Sequence, residues 1–279
     1  MTAAALRRFG FEPLAEPPWR EAEAGPWRLR VQRGSAAHGY VSRTVVEPRR
    51  AVLCKGRTPW MSNGALERES HAWHGERARG LVVVAGLGMG LHAHAVAAKP
   101  EVERVVVAEV APDVIAVMCA GSGFDAWPHR DKVTLLQADV LAPDFAARLA
   151  AATGGRRPDY LYADIWPDYP AAAAPAQTAA LVRALDPVAA GWWGQELAAA
   201  AWAHRRRLPL APATLDAWAA ATGLPPLAAE ERHAAFVRAA AALVDVAALA
   251  GEARPGWLDR LRQRVEYPAL RLAIGRRDR

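Results

Sequence analysis

Three apolar runs of strand length punctuate the middle of the chain: Leu81-Val82-Val83-Val84-Ala85, Val105-Val106-Val107-Ala108 and Tyr160-Leu161-Tyr162-Ala163. Runs that are apolar at every position, rather than at alternate ones, predict strands covered on both faces, as in a parallel sheet. A fourth run, Lys132-Val133-Thr134-Leu135-Leu136-Gln137, has the same length. Helical stretches follow each of the four: about Leu91 to Ala98, Ala111 to Ala120 with Pro112 in its first turn, Pro143 to Ala152, and Gln177 to Leu185. Strands alternating with helices of this size predict a Rossmann-like, doubly wound α/β sheet.

The flanks follow other periods. Residues up to about 25 carry Pro13, Pro17 and Pro18 and read as an extended arm with one short helix at Ala3 to Arg8. Trp27 to Val31 and much of Tyr40 to Val46 alternate apolar and polar, and Ala51 to Cys54 follows Pro48, which predicts a small antiparallel β-unit. Asn63 to Arg77 turns helical, with Ser62 or Asn63 available as cap and Gly75 or Gly80 as stop. Beyond Gly191 the alternation ends. Trp192 to His204, Ala213 to Thr222, Ala228 to Leu249 and Trp257 to Arg264 read as helices separated by prolines, and Ala269 to Ile274 as a strand or a helix end. The expected organisation is an N-terminal arm and β-unit over 1–62, a Rossmann-like cofactor-binding core over 63–190 and a helical C-terminal region over 191–279.

A length of 279 residues suits one large core with additions, and 52% hydrophobic with 23% charged residues is the balance of an ordinary globular protein. No apolar run approaches the roughly 18 residues that cross a bilayer, and the first residues lack a signal-peptide layout, so a cytoplasmic protein is expected. The two cysteines, Cys54 and Cys119, form no CxxC and suggest neither a zinc knuckle nor a disulfide framework. Net charge is +6, with Arg205-Arg206-Arg207 and Arg276-Arg277 as clusters. Only Lys55, Lys99 and Lys132 are lysines, and no nucleic-acid-binding motif accompanies the arginines, so the charge alone does not assign a nucleic-acid partner.

Chemistry begins at Gly86-Leu87-Gly88-Met89-Gly90, between the first core strand and its helix. A chain turning sharply from strand to helix needs glycine where φ is positive and where backbone must approach a ligand, which points to a nucleotide-like cofactor. The dinucleotide fingerprint would require glycine at position 91, which is Leu91. Glu109, ending the second strand about twenty residues on, is placed to accept from two ribose hydroxyls; the plain alternative is a solvated acid at a strand end. Asp139 follows the third strand and has a helix-capping alternative. Asp164 ends the fourth strand in Asp164-Ile165-Trp166-Pro167-Asp168, where open sheets bind substrate; its alternative is to cap the loop, with Trp166 in the core. A carboxylate there can orient or deprotonate an acceptor, and Trp166 can wall a flat or cationic group.

The GxGxG loop followed by acids at Glu109, Asp139 and Asp164 resembles the class I S-adenosylmethionine-dependent methyltransferase fold. The absence of an acid at Val84, with Arg57-Thr58-Pro59-Trp60-Met61-Ser62 leading into Glu67-Arg68-Glu69, resembles its spermidine synthase-like branch. The resemblance covers about residues 50 to 190. It implies S-adenosylmethionine, or decarboxylated S-adenosylmethionine, held by Gly86, Leu87, Gly88, Met89, Gly90, Glu109, Val110, Asp139 and Val140, with Asp139 receiving the adenine amino group. It implies acceptor chemistry at Asp164, Trp166 and Asp168. Two departures stand out: the Asp-x-x-Asp of spermidine synthases is stretched by one residue to Asp164 and Asp168, and Glu67, Glu69 and His71 echo their Tyr-His-Glu region only loosely. No late antiparallel hairpin completing a seven-stranded sheet is legible.

These features predict a methyltransferase with a small-molecule acceptor. An aminopropyltransferase and a non-catalytic S-adenosylmethionine-binding interaction module stand as alternatives. Trp192, Trp193 and Trp202 are expected in core packing at helical spacing. His92 and His94 cannot pair on one helix face, His71 and His74 lack a third ligand, and no metal is expected.

Overall fold

A computed structural model describes residues 2–251 apart from Ser35 and Asp168. The expected helix at Trp257 to Arg264, the segment Ala269 to Ile274 and the Arg276-Arg277 pair lie outside the described residues. Helix α1 (Thr2–Arg7) opens the chain, followed by β1 (Ala22–Ala24), β2 (Trp27–Arg33), the two-residue strands β3 (Ala36–Ala37) and β4 (Val45–Val46), then β5 (Arg49–Lys55) and β6 (Thr58–Ser62). Strands β1, β2, β5 and β6 form an antiparallel sheet in that order, while β3 pairs only with β4. The alternating pattern of Tyr40 to Val46 thus becomes a strand only at its last two residues. On β2 the pattern works as expected: Trp27 and Leu29 are buried and Arg28 and Arg30 exposed.

Where one helix is expected over Asn63 to Arg77, two short ones form, α2 (Ala65–Ser70) and α3 (Ala72–Arg77), meeting at His71. The core follows as β7 (Gly80–Ala85), α4 (Leu91–Ala97), β8 (Val102–Glu109), α5 (Pro112–Ser122), β9 (Val133–Gln137), α6 (Phe145–Thr153), β10 (Tyr160–Ala163), α7 (Ala174–Leu185) and β11 (Ala189–Trp192). The chain closes with α8 (Gln195–Arg205), α9 (Pro212–Ala221), α10 (Glu231–Ala241) and α11 (Val246–Leu249). The last two replace the single helix expected over Ala228 to Leu249; Asp245 caps α11 by accepting from Ala248 N at 3.0 Å.

All pairings in the core sheet are parallel, in the order β11-β10-β7-β8-β9. This is the doubly wound α/β arrangement that the alternation of strands and helices predicts. The order reverses between β7 and β10, so their carboxyl ends form the switch point at which such sheets open a crevice. Strand β11 corrects the reading that the alternation ends at Gly191: Trp192 is the last residue of a fifth strand, and the helix begins at Gln195. No late antiparallel hairpin occurs among the described residues.

The two faces of β7 and β10 divide by parity, as a pleated strand requires. Leu81, Val83, Ala85, Leu161 and Ala163 share one core with α6 to α10, and Val82, Val84, Tyr160 and Tyr162 share the other with α4 and α5. Trp192 packs at a tilt against Trp218 of α9 at 5.2 Å, and Phe11 meets Phe236 of α10 at 5.1 Å, so the C-terminal helices close over the N-terminal arm.

That closure is fastened by charge. Arg232 on α10 donates to Glu76 on α3 at 2.6 Å, with His233 Nε2 at 3.8 Å. Burial alone would raise the Glu76 carboxyl, but His233 and Arg232 hold it at about 2. A depressed carboxylate contributes stability above its unfolded value and loses it as pH falls through the folded one. Glu76→Gln is therefore expected to lose about 2 kcal/mol of stability at pH 7. The gap from the parent should close between pH 4.5 and about 2, as read by urea melts along that range.

Candidate active site

A cavity of about 640 Å³ opens at the carboxyl ends of β7 to β10, roofed by the N-terminal sheet. Gly86 and Gly88 form part of its floor; Glu109, Val110, Asp139, Val140 and Leu141 line one end, and Glu67, Asp164, Ile165 and Trp166 the other. Trp27, Val52, Leu53, Trp60 and Met61 come from the roof. The roof is held in place by Asn63, which accepts from Ala51 N at 2.7 Å and donates to Glu16 at 2.8 Å.

Two glycines of the loop are dictated by close approach. A Cβ on Gly86 (φ +96) would lie 2.0 Å from the carbonyl oxygen of Asp164, and one on Gly88 (φ +51) 2.4 Å from the Met61 sulfur. The loop therefore presses against the end of β10 on one side and the roof on the other. The remaining loop residues do not line the cavity: Leu87 and Met89 are buried in two separate apolar clusters, and Gly90 sits against Trp127 and Met118. Leu87 contributes through its backbone, donating N–H to Glu109 at 3.0 Å.

Glu109 also accepts from Ala111 N at 2.9 Å, so each carboxylate oxygen takes one amide and keeps lone-pair capacity toward the cavity. Asp139 accepts from Leu141 N at 2.9 Å in a side-chain turn. Its helix-capping alternative is not what forms, since α6 starts at Phe145 with Asp144 before it. Val110 and Leu141, next to these acids, are 62% and 46% exposed.

At the other end, Asp164 is backed by Ala85, whose carbonyl accepts its N–H at 2.8 Å. Burial pushes the Asp164 carboxyl up to about 7, His71 opposes that rise, and Glu67 and Glu109 add to it. Trp166 is half-buried and donates to Gln177 on α7, which fixes its indole against the cavity. Asp168 lies outside the described residues.

Behind Asp164 lies a set of polar side chains that the sequence reading did not assemble. His71, at the junction of α2 and α3, has Nδ1 2.7 Å from the Tyr162 hydroxyl and Nε2 3.4 Å from Glu67 and 3.9 Å from Asp164. The last two are ion-pair distances, too long and unaligned for strong hydrogen bonds. His74 Nδ1 stands 2.8 Å from the Tyr160 hydroxyl, its Nε2 3.4 Å from Glu196, and Glu196 accepts from Tyr40 at 2.9 Å. Gly191 makes room for this ring, since a Cβ there would lie 2.7 Å from it. His92 packs its ring 4.2 Å from that of Tyr162, and burial, then His71 and His74, hold it well below the ordinary histidine value. The available signal was the pair Tyr160 and Tyr162 on one face of a wholly buried strand, because a buried phenol needs a polar partner.

The remaining histidines and tryptophans named above serve packing. His94 contacts the Ala15 carbonyl at 2.9 Å, and Trp193, buried beside the cavity, donates to Ser70 at 2.8 Å. Trp192 and Trp193 precede α8, so the expected helical spacing with Trp202 does not occur; Trp202 lies under Arg206. Cys54 and Cys119 are free, with burial raising both thiols. Among the described residues no group of three or more His, Cys, Asp or Glu is arranged to hold a metal ion, and no helix is long and apolar enough to cross a membrane.

No family model matches the chain, and no curated protein matches it. Among solved structures it is similar to the methyltransferase domain of bacterial CtHen1, at 14% identity over 39% of this chain and 54% of that one, with a TM-score of 0.30. It is also similar to the fibrillarin/Nop5p complex, at 13% identity over 40% and 47% with a TM-score of 0.30. Spermidine synthase from Thermotoga maritima matches at 11% identity over 65% and 56%, with a TM-score of 0.34. The chain spans about half the length of these structures. At such scores none of them bears on substrate or activity.

Proposed function

We propose that the chain is an S-adenosylmethionine-dependent methyltransferase acting on a small-molecule acceptor. The observation that carries this reading is one cavity in which the glycines Gly86 and Gly88 meet three acids, Glu109, Asp139 and Asp164, from the ends of three neighbouring or flanking strands. The residues present fit that cofactor. Glu109 retains lone pairs for two ribose hydroxyls, Asp139 has a carboxylate oxygen left for the adenine amino group, and the exposed faces of Val110 and Leu141 offer apolar cover to a flat ring. The absence of a side chain at Gly88 leaves the narrow floor open under Met61.

Bound S-adenosylmethionine would supply a methyl group whose bond to the sulfonium sulfur breaks as the acceptor's bond to carbon forms, the thioether S-adenosylhomocysteine leaving. The chain's own residues do the rest by placement. Trp166 and Ile165 wall the acceptor end, Met61 and Trp60 cover it from the roof, and Asp164 is positioned to take the proton that an acceptor O–H or N–H loses as its new bond to carbon forms. A carboxyl poised at about 7 is matched to that task near neutral pH.

A second reading, aminopropyl transfer from decarboxylated S-adenosylmethionine, is favoured by one feature: Glu67 and Asp164 both face the acceptor end beside Trp166, a suitable setting for an ammonium group. Calorimetric titration with S-adenosylmethionine, its decarboxylated form, S-adenosylhomocysteine and NAD tests both. The expected result is binding of the adenosylmethionine set and none of NAD. Preference for the decarboxylated form would select the second reading, and binding of NAD alone would overturn both.

A further inference from the structure

We propose that His71 is a positioning residue for Asp164: clamped at Nδ1 by Tyr162, it presents Nε2 to Glu67 and Asp164 together and, as an imidazolium, offsets the repulsion between the two carboxyl groups at the acceptor end. The geometry is unusual for a buried histidine. His71 is 1% exposed, joins two helices at their shared cap, and has one ring nitrogen fixed at 2.7 Å by a phenol while the other faces two acids at 3.4 and 3.9 Å. Two carboxylates facing one ring nitrogen in a poorly solvated corner would ordinarily not both ionise. A cation facing both eases that conflict without abolishing it, since burial still holds the Asp164 carboxyl at about 7.

The groups facing His71 come from every element around it. Glu67 is on its own helix α2, Asp164 and Tyr162 belong to β10 and its exit, His92 is on α4, His74 on α3 and Glu196 on α8. Burial pushes the His71 ring down, yet pairing with Glu67 and the charges of Asp164 and Glu196 raise it above the ordinary histidine value. The neighbouring rings go the other way: burial leaves His74 and His92 lowered. Of the three rings, the one beside Asp164 is the one whose surroundings favour the charged form. The inference rests on the methyltransferase reading only for what the carboxylates do there; the charge arrangement belongs to the ligand-free protein.

The test is nuclear magnetic resonance titration of the full chain without ligand, observing the imidazole nitrogens and the aspartate carboxyl carbons. His71 is expected to be doubly protonated at pH 7. In His71→Gln the Asp164 midpoint should rise by about one pH unit or more, while His129→Gln leaves it unmoved. If His71→Gln does not fold, Glu67→Gln tests the shared pairing through His71, whose midpoint should then fall, while that of Asp164 falls on losing a neighbouring acid. A neutral His71 at pH 7, or an Asp164 midpoint indifferent to these substitutions, would overturn the proposal. Failure of S-adenosylmethionine to bind in the calorimetric experiment would overturn the function and leave this result standing.

Discussion

Asp164→Asn is expected to cut group transfer by a factor on the order of 100 or more, while S-adenosylmethionine affinity stays within about tenfold of the parent. The amide preserves the shape and the backbone hydrogen bond to Ala85 but cannot accept a proton. The same substitution should stabilise the protein in alkaline solution. The Asp164 carboxyl sits at about 7 in the folded chain against an ordinary value of 3.8. Between those values the folded state binds a proton that the unfolded chain does not, so stability falls as pH rises across the window and the loss is complete above it. The asparagine carries no such dependence. Thermal melts should show the variant gaining on the parent from pH 5 to pH 8, by on the order of 2 kcal/mol after allowance for the lost pairing with His71. A variant that transfers normally, or whose melting tracks the parent at every pH, would remove Asp164 from the acceptor chemistry.

The opposed effects follow from what makes a carboxylate useful there. Burial and the neighbouring acids Glu67 and Glu109 make its ionised form costly, and the same cost raises its affinity for an acceptor proton. In the proposed reaction such a residue trades stability for function.

Much of the sheet was legible because its strands are wholly buried: Leu81 to Ala85, Val105 to Ala108 and Tyr160 to Ala163 carry no polar side chain except two phenols, and glycines or acids mark their ends. The fifth strand was not legible. Ala189-Ala190-Gly191-Trp192 is short and mostly small, with little intrinsic strand preference, and it becomes a strand because it pairs with Tyr160 to Ala163 and because Gly191 lets His74 approach. The break between α2 and α3 was equally hidden, since nothing around His71 departs from helical composition; at that junction its ring faces Tyr162 and the two acids. The strand-end positions of Glu109, Asp139 and Asp164 could be read from spacing alone. The pairings of His71 and His74 with tyrosines about ninety residues away could not, because a single sequence records no contact of that range.

Glu109→Gln is expected to weaken S-adenosylmethionine binding by at least about 100-fold, the equivalent of losing two hydrogen bonds to a charged acceptor. The parent carboxylate faces donors on every side: Leu87 N at 3.0 Å, Ala111 N at 2.9 Å and, in the proposed complex, two ribose hydroxyls. A glutamine has one acceptor oxygen. Whichever way it is turned, its NH₂ group meets one of the two backbone N–H groups, donor against donor, and that amide loses its partner. Loosening Leu87 N disturbs the loop between Gly86 and Gly88, so a stability loss of about 1–2 kcal/mol should accompany the loss of affinity. Asp139→Asn makes the contrast, because an amide oxygen can still accept from Leu141 N and the turn survives; affinity should fall only about tenfold, and melting should not change. Calorimetry and thermal melts of the two variants separate a general loss of charge in the cavity from the specific double acceptor at Glu109. Equal affinities for the two variants would mean that Glu109 serves the loop alone and that the ribose hydroxyls have another partner.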